Sequence, residues 1–464
     1  MIVGDGITAL AFLDGLSPPP GSEVILLGRN ASEFGRGAAY AKGTPGTPWQ
    51  FAYLLNSPAD DIDPAFAAWL AARWPEVETK MAGRRPDWLG AARGLIAEGD
   101  LYGVNAPREF YGDFMREQAE AATARLAANG ARVRVMDDTA TGVTLDAGGV
   151  RVARENGPAL SVDSVDIAPG GPSTMRFDGD DGPFAAPSVF GYEDRIAEHI
   201  LAGRETFCIG GNAAMLDVLR LCQSLIPEDE LRFTALAPDG SVPAALVPRM
   251  PRKLTQPTLT PGHDTATSNM EEIAQAIATA QAEGDEMREI RAGFRAHFLN
   301  HPLTGYLENP DEARRVPGKL RFWLRGGTRD TIFDMHRLIK AGVCRMLTGS
   351  AIDIDHRADG ATVRVRDADG VEQRIETGFV VNCAGAGPTS RFDPMTQDLL
   401  DQGLIARCDI TRGLRVGSGC RATDPRVRYL SPAVSEVGDE VMAMPLYDAH
   451  MLRTISARGR QLTS

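Results

Sequence analysis

The sequence VGDGITA, at residues 3–9 of the 464-residue chain, decides the fold. A short apolar run leads into Gly-x-Gly-x-x-Ala, and an apolar helical segment follows, which is the strand-turn-helix pattern of a dinucleotide site. Gly4 permits the tight turn, Gly6 lets the backbone approach a pyrophosphate, and the small Ala9 lets helix and strand pack closely. The free N–H groups and the positive dipole end of the helix then attract the phosphates. The sequence therefore predicts a dinucleotide-binding site at these residues.

The composition indicates a globular protein of two or three domains, because 464 residues exceed the size at which single cores stop growing. With 43% hydrophobic and 24% charged residues, the chain is ordinary for that class. A net charge of −13 argues against nucleic acid or an anionic membrane as a partner. No apolar stretch approaches bilayer length, and no signal peptide precedes the first motif. We therefore expect a cytoplasmic protein.

The cysteines and histidines form no metal-binding pattern. None of the six cysteines belongs to a Cys-x-x-Cys pair, which argues against a redox disulfide and against a zinc ribbon. His297 and His301 are spaced i, i+4, but Pro302 follows at once and no glutamate lies between them. A solvated helix end explains this pair better than a metal site does. Cys383 is expected to be a small buried residue rather than a nucleophile, and no metal centre is expected.

The second strand, expected over residues 23–27, lacks one feature of most dinucleotide sites. That strand usually ends in an acidic residue that binds the ribose hydroxyls. Here it ends in Leu27-Gly28-Arg29, so the acid is missing. Arg29 either lies against the adenine or a phosphate of the cofactor, or it is a solvated loop residue. The sequence favours neither interpretation.

A second glycine turn lies in mid-chain, in the sequence FCIGGNAA at residues 207–214. An apolar strand before it and an amphipathic helix after it repeat the first motif, which predicts a nicotinamide-type site on Gly210, Gly211 and Asn212. Asn212 stands where the second glycine belongs. Asparagine tolerates a positive φ better than most residues, so we expect the turn to persist, with a less open approach for a pyrophosphate.

The strand after this turn, expected over residues 231–237, carries no arginine at its end for the 2′-phosphate of NADPH. Arg249, Arg252 and Lys253, just downstream, either replace that arginine or form a basic surface loop. Because both the turn and the strand end depart from the usual pattern, NADPH is expected to bind weakly or atypically.

The order of these elements predicts an α/β fold with two Rossmann-like dinucleotide-binding domains. A charged helical stretch over residues 268–298 indicates a helical elaboration of the second domain. Alternating strands ahead of a turn at Gly385 then indicate a return to the first domain. The predicted boundaries are 1–203 and 345–464 for the first domain, with 204–344 inserted between them as the second.

Five further motifs resemble, in order, those of a known group of flavoproteins. They are FGRGAAY at residues 34–40, LLNSP at 54–58, PREFYG at 107–112, Gly385 with Gly387, and Gly403-Leu404-Ile405. Over most of its length the chain resembles the FAD/NAD(P)-binding flavoproteins that share a two-dinucleotide-domain plan with class B and N-hydroxylating monooxygenases. The resemblance implies bound FAD, with Gly37, Tyr40 and Asn56 near the cofactor and Gly385 at a cofactor-binding strand end.

In such a monooxygenase NADPH reduces the FAD, O₂ forms a C4a-(hydro)peroxyflavin, and a nucleophilic substrate atom takes the distal oxygen. The resemblance thus implies an enzyme that hydroxylates a heteroatom of a small molecule. Asn56 would hydrogen-bond the flavin or the peroxide; alternatively, it only braces its loop. Two other functions stay open: an FAD-dependent oxidase or dehydrogenase that does not use NADPH, and a non-catalytic FAD-binding accessory protein. A homo-oligomer is open as well.

Overall fold

The computed structural model describes residues 1–244, 253–316, 320, 323–324 and 327–443. The strands are, in chain order, β1 (Ile2–Val3), β2 (Glu23–Gly28), β3 (Arg132–Asp137), β4 (Ala140–Asp146), β5 (Gly149–Arg154), β6 (Leu160–Val162), β7 (Val165–Ile167), β8 (Ala185–Ala186), β9 (Thr206–Ile209), β10 (Phe233–Ala237), β11 (Cys344–Thr348), β12 (Ser350–His356), β13 (Ala361–Arg366), β14 (Glu372–Thr377), β15 (Phe379–Asn382), β16 (Ala406–Arg407), β17 (Leu414–Val416), β18 (Val427–Tyr429), β19 (Val434–Val437) and β20 (Glu440–Val441).

The α-helices are, in chain order, α1 (Ile7–Asp14), α2 (Ala59–Ile62), α3 (Pro64–Ala72), α4 (Trp74–Lys80), α5 (Pro86–Glu98), α6 (Arg108–Ala128), α7 (Glu193–Leu201), α8 (Ala213–Leu225), α9 (Ala266–Ala282), α10 (Met287–Asn300), α11 (Pro310–Arg315), α12 (Arg329–Lys340) and α13 (Pro394–Asp401). Among the helices of the described residues, none combines the length and the apolar character needed to cross a bilayer.

The first sheet contains five parallel strands in the order β18-β7-β1-β2-β3. Its central strand, β1, is two residues long, and Val3 pairs with Leu27 on one side and with Ile167 on the other. Parallel strands end at the same edge of a sheet. The Gly4 turn after β1 therefore lies at an edge that it shares with the ends of β2, β3 and β7, which is where such sheets bind ligands.

The second sheet is also parallel, in the order β11-β10-β9-β15-β8. All its strands lie between β7 and β18 in the chain, so the second sheet is completed before the chain returns to the first. The expectation that the strands ahead of Gly385 return to the first domain is wrong, because β15 pairs with β9 and β8. The second sheet thus extends beyond the segment 204–344 on both sides, from Ala185 to Asn382.

Three smaller sheets complete the fold: β4 to β6 and β12 to β14, which are antiparallel, and a mixed sheet in the order β16-β17-β19-β20. The β12–β14 sheet packs on the second parallel sheet, where Val363 and Val365 share a buried cluster with Ile209. The two parallel sheets confirm the predicted α/β class with two Rossmann-like domains.

The helical elaboration packs on the first domain, although the sequence placed it with the second. Phe294 of α10 is fully buried in the hydrophobic cluster that also contains β1, α1 and α3, whereas the second domain has its own cluster around α8. Two ion pairs join these helices to the first domain: Arg295 with Asp61 and Arg314 with Glu436, both at 2.8 Å. The helical periodicity identified an apolar face but not the surface that covers it.

The two domains meet at a buried ion pair near the start of α6. Arg108 contacts the carboxylate of Asp217, on α8, at 2.9 Å. Burial raises the pKa of the Asp217 carboxyl to about 6, although Arg108 beside it acts in the opposite direction. A second link is the hydroxyl of Thr328, before α12, which donates to the carbonyl of Leu55 at 3.1 Å. Polar contacts therefore fix the second domain against the first.

Candidate functional site

One cavity lies at the carboxyl edges of both parallel sheets. It has a volume of about 970 Å³, and its walls come from the turn after β1, the start of α8 and the helical elaboration. Gly4, Gly6, Asn212 and Gly385 all line it. Because ligands of open α/β sheets bind outside the carboxyl ends of the strands, this cavity is the candidate site.

The turn after β1 has the shape that a pyrophosphate requires. Gly4 has a φ of +109°, and a Cβ on it would overlap the carbonyl oxygen of Ala168 at the end of β7, so no other residue fits there. Gly6 is the N-cap of α1 and brings no side chain to cap the helix, which leaves the first N–H groups of α1 for a phosphate. Ala9 is fully buried in α1, where a small residue lets the helix approach the sheet.

The loop at residues 34–40 closes over this turn. Gly37 has a φ of +59°, and a Cβ on it would lie 2.8 Å from the Cα of Gly6. The N–H groups of Gly35 and Gly37 both donate to the carbonyl of Asp5, at 2.8 and 3.1 Å. Two glycine backbones thus form a cradle beside the start of α1. A Cβ on Gly37 would force the two backbones apart, and because Gly6 and Gly37 both line the cavity, the pyrophosphate of FAD fits against them there.

The side chains of Arg36 and Tyr40 attach the 34–40 loop to α6. The buried Arg36 guanidinium donates to Glu33 at 2.7 Å and to the carboxylate of Asp113 on α6. Tyr40 lines the cavity, and its ring meets that of Tyr111 edge-on at 4.9 Å. The sequence indicated Tyr40, whereas the ion pair of Arg36 with Asp113 depends on a helix far along the chain.

Asn56 lies half-buried on the cavity wall. Its Oδ1 lies 3.4 Å from the hydroxyl of Thr328 and shares that hydroxyl's one proton with the carbonyl of Leu55. Among the described residues, no group accepts a hydrogen bond from Nδ2 of Asn56. That amide can therefore donate to a bound molecule. The neighbouring Asn105 braces the loop, because its Nδ2 donates to the carbonyls of Leu55 at 3.0 Å and Asn56 at 3.4 Å.

Two further strand ends, which contain none of the predicted site residues, also line the cavity. They are Asp138 to Ala140 after β3 and residues 168–171 after β7. Both strands flank the β1–β2 pair, so the usual strand order of a dinucleotide fold was the signal that could have found them. Arg29, at the end of β2, lines the cavity with an exposed side chain, which is compatible with both of its predicted roles.

The second turn follows the same course but begins its helix differently. A Cβ on Gly210 would overlap the carbonyl of Cys383, and a Cβ on Gly211 would lie 2.8 Å from the Cβ of Ala237 at the end of β10. Asn212 is the N-cap of α8 with a φ of −118°, so the left-handed conformation considered for it is not found. Its Oδ1 accepts from the N–H of Ala214 at 2.9 Å, and its Nδ2 donates to the carbonyl of Cys383 at 2.5 Å.

The two helix starts therefore differ in what they offer to a phosphate. At α1 no side chain caps the helix, whereas at α8 the side chain of Asn212 already occupies the N–H of Ala214. Asn212 and Gly385 line the cavity, and Gly210 and Gly211 shape the turn behind them. The second site is thus on the cavity, with one phosphate donor fewer.

The predicted ligands of a 2′-phosphate lie only in part within the described residues. Arg249 and Arg252 fall outside them. Lys253 forms an ion pair with Asp285 of the helical elaboration. Two residues after β10 stands Asp239, whose carboxylate accepts from the hydroxyl of Ser241 at 2.7 Å. An acid near this strand end suits ribose hydroxyls better than a phosphate.

Two arginines of the helical elaboration reach the cavity, and the sequence analysis missed both. Arg291 and Arg295, on α10, are 5% and 8% exposed and line the cavity together with Trp323. Nε of Arg291 donates to the carbonyl of Trp323 at 3.1 Å, and burial lowers the pKa of this guanidinium to about 10. Their position depends on the packing of α10 against the first domain, which no local sequence pattern records.

The described residues contain no cluster of three or more His, Cys, Asp or Glu side chains that could hold a metal ion. The rings of His297 and His301 stack 4.2 Å apart, and Nε2 of His297 is hydrogen-bonded to the hydroxyl of Tyr306 at 2.5 Å. Burial lowers the pKa of His297 to about 4, so its ring is neutral at pH 7. Cys383 is a buried free thiol.

Comparison with known proteins agrees with this architecture. A family model described as FAD-NAD(P)-binding matches residues 1–172, which contain four of the five strands of the first sheet. No curated protein sequence matches the chain. A solved structure of the ornithine N-hydroxylase of Kutzneria sp. 744, with reduced FAD, NADP⁺ and L-ornithine, is 14% identical and superposes with a TM-score of 0.54 over 100% of this chain and 99% of its own.

Two further solved structures show the same fold. The reduced ornithine hydroxylase of Pseudomonas aeruginosa is 13% identical, with a TM-score of 0.51 over 100% of this chain and 97% of its own. The FAD-bound cadaverine monooxygenase of Erwinia amylovora is 12% identical, with a TM-score of 0.52 over 93% and 87%. The chain therefore has the two-dinucleotide-domain fold of these N-hydroxylating flavoenzymes, and its first 172 residues match an FAD-NAD(P)-binding family.

Proposed function

We propose that this protein is an FAD-dependent monooxygenase that uses a nicotinamide nucleotide and O₂ to hydroxylate a heteroatom of a small molecule. The observation that carries the proposal is the shared cavity: the open start of α1 and the start of α8 face one space of about 970 Å³. A flavin on the first turn and a nicotinamide on the second would therefore meet in one cavity. The FAD-NAD(P)-binding match of residues 1–172 supports FAD as the first ligand.

The residues present fit FAD. Gly4, Gly6 and Gly37 would hold its pyrophosphate at the start of α1, and Tyr40 and Asn56 would lie along the flavin half. When bound and reduced, the flavin supplies the activation of O₂. The chain's own part is to position the substrate, to exclude water and to donate a hydrogen bond from Nδ2 of Asn56 into the cavity.

The structural neighbours and the cavity together support one substrate class. Two of these neighbours are ornithine hydroxylases and the third is a cadaverine monooxygenase, and both ornithine and cadaverine carry a primary amine at the end of an alkyl chain. We propose an amine nitrogen as the heteroatom. Arg291 and Arg295, which line the cavity beside Trp323, carry positive charge and would face a carboxylate of the substrate rather than its ammonium group. Buried polar groups and an aromatic ring are the usual lining of a small-molecule site.

One observation favours a second candidate, an FAD-dependent oxidase or dehydrogenase that does not use NADPH. The side chain of Asn212 already caps α8, and Asp239 stands near the strand end that would receive a 2′-phosphate. Both features weaken the case for tight NADPH binding. Under this alternative, substrate rather than nucleotide reduces the flavin.

Asn212→Gly is expected to tighten NADPH binding about threefold to tenfold, because it frees the N–H of Ala214 for a phosphate. The dependence of the flavin reduction rate on NADPH concentration measures this. Asn309→Gly, which removes the N-cap of the distant α11, is the matched control and should leave that dependence unchanged. Weaker NADPH binding in Asn212→Gly would mean that the cap supports the nucleotide site instead of obstructing it.

Asn56→Ala is expected to lower the yield of hydroxylated product per NADPH consumed, up to about tenfold, because one hydrogen bond into the cavity is lost. The rate of flavin reduction should stay close to that of the wild type. If Asn56 only braces its loop, the variant instead loses thermal stability and keeps its product yield.

Multiple turnover with ornithine, lysine and cadaverine tests the proposed function. The FAD-loaded protein, NADPH or NADH, and O₂ should give an N-hydroxylated amine, detected by mass spectrometry, in step with nucleotide oxidation. If substrate reduces the flavin without nucleotide, the oxidase or dehydrogenase is correct. If FAD binds but neither nucleotide nor substrate reduces it, the protein is a non-catalytic FAD-binding protein.

A further inference from the structure

The end of β2 lacks the acidic residue that a dinucleotide site normally has there, and another side chain fills its place. Gly28 is the last residue of β2. A Cβ on Gly28 would lie 2.7 Å from the Cβ of Asp5 and 3.0 Å from its Oδ2. The Asp5 side chain, from the turn after β1, therefore occupies the space where a side chain at position 28 would begin.

The Asp5 carboxylate is held in this place by the backbone around it. Its Oδ2 accepts from the N–H of Asn30 at 2.8 Å, and its main-chain carbonyl accepts from two N–H groups of the 34–40 loop. Among the described residues, no group donates to its Oδ1. Asp5, Gly28 and Arg29 all line the cavity. A fixed carboxylate with one unoccupied oxygen thus faces the ligand space at the end of β2.

We propose that Asp5 binds the ribose hydroxyls of the adenosine half of FAD, in place of the acid that usually stands at the end of β2. Gly28 is glycine because Asp5 fills the space beside it. The acid thus stands in the middle of the glycine turn instead of at the strand end, and it is the direct neighbour of Gly6 in the sequence. This inference rests on FAD as the ligand of the first site.

The place of Asp5 predicts that a variant at this residue binds ligands with an adenosine more weakly and other ligands equally well. Asp5→Asn keeps the size of the side chain and an oxygen that can accept from the N–H of Asn30. It removes the negative charge and the second oxygen, which would accept hydrogen bonds from the ribose hydroxyls. We expect it to weaken FAD about tenfold to a hundredfold, the range for a lost charge-assisted hydrogen bond. ADP, measured as a competitor of FAD, should weaken in parallel. FMN, which has no adenosine, should bind both proteins equally.

A swap of the two positions gives the sharpest comparison. Because the conflict at position 28 involves the Cβ of Asp5, Asp5→Gly must accompany Gly28→Glu. The double variant returns the acid to the strand end and should recover at least part of the FAD affinity that Asp5→Gly alone loses. Glu23→Gln, at the opposite end of the same strand, removes one carboxylate away from the cavity and should leave the affinity unchanged.

The experiment is a titration of the apoprotein, followed by flavin fluorescence, with ADP and 2′-deoxy-ADP as competitors of FAD. Wild type should prefer ADP about tenfold or more, and Asp5→Asn should lose most of this preference. Equal binding of the two competitors by wild type would overturn the inference without any variant. The inference would also be overturned if Asp5→Asn bound FAD as tightly as wild type and kept the preference for ADP over 2′-deoxy-ADP. If wild type binds no FAD at all, the proposed function fails instead.

Discussion

Replacing Gly37 by alanine is expected to abolish stable FAD binding while the protein still folds. The φ of +59° at this position is strained for any residue with a side chain, and the added Cβ would lie 2.8 Å from the Cα of Gly6. The 34–40 loop would have to move away from the start of α1, which opens the pyrophosphate cradle. We expect a loss of about a hundredfold or more in FAD affinity, equivalent to about 3 kcal/mol.

Flavin content after purification and titration of the apoprotein with FAD measure this effect. Gly94→Ala is the matched control, since Gly94 lies in α5 with no atom within 4 Å of an added Cβ. That variant should bind FAD as the wild type does. A yellow Gly37→Ala protein with unchanged affinity would contradict the cradle as the site of the pyrophosphate.

Arg108→Ala is expected to destabilise the protein by about 3 kcal/mol at pH 8 and by much less at pH 5, because it leaves Asp217 buried without its cation. Burial has already raised the pKa of Asp217 from 3.8 to about 6. The folded state therefore holds the proton more tightly than the unfolded state does, and this group's contribution to stability falls as the pH rises from about 4 to about 6.

Loss of Arg108 raises the folded-state pKa of Asp217 further, because Arg108 is the nearest cation that lowers it. In the variant the fall in stability consequently continues above pH 6, whereas the wild type has levelled off. Below about pH 5 the carboxyl is neutral in the folded form of both proteins. The difference in unfolding free energy between them should therefore grow with pH.

Urea unfolding at pH 5 and pH 8 measures this difference. Arg116→Ala, which breaks an exposed ion pair with Glu120 on the same helix, is the control and should change stability by less than about 1 kcal/mol at either pH. Combining Arg108→Ala with Asp217→Asn should remove the added pH dependence. An equal loss at both pH values would show that Arg108 acts through packing against Phe190 rather than through its charge.

The geometry of the first turn was largely predictable because its determinants are local. Gly4, Gly6 and Ala9 act through the turn and helix in which they stand, and the 34–40 loop carries its own glycines. The second turn was equally visible in the chain. The role of Asn212 could not be predicted from the sequence. Its side chain caps α8 and donates to the carbonyl of Cys383, and both hydrogen bonds depend on the direction in which the side chain points.

The parts that could not be predicted depend on contacts distant in sequence. The strand β15 reads like any apolar strand before a glycine turn, and only its pairing with β9 assigns it to the second sheet. The helices after residue 253 have an apolar face that would suit either domain. Arg291 and Arg295 line the cavity because that apolar face packs on the first domain, and this contact is not recorded in the local sequence.

Anaerobic mixing of the FAD-loaded protein with NADPH or NADH, followed by the flavin's visible absorbance, measures whether a nucleotide bound in this cavity reduces the flavin. The two turns on one cavity predict that the nucleotide bleaches the flavin, with a rate that rises with nucleotide concentration and does not saturate in the low micromolar range. A protein that binds FAD tightly and shows no bleaching by either nucleotide, with or without an amine substrate, would contradict the proposed monooxygenase.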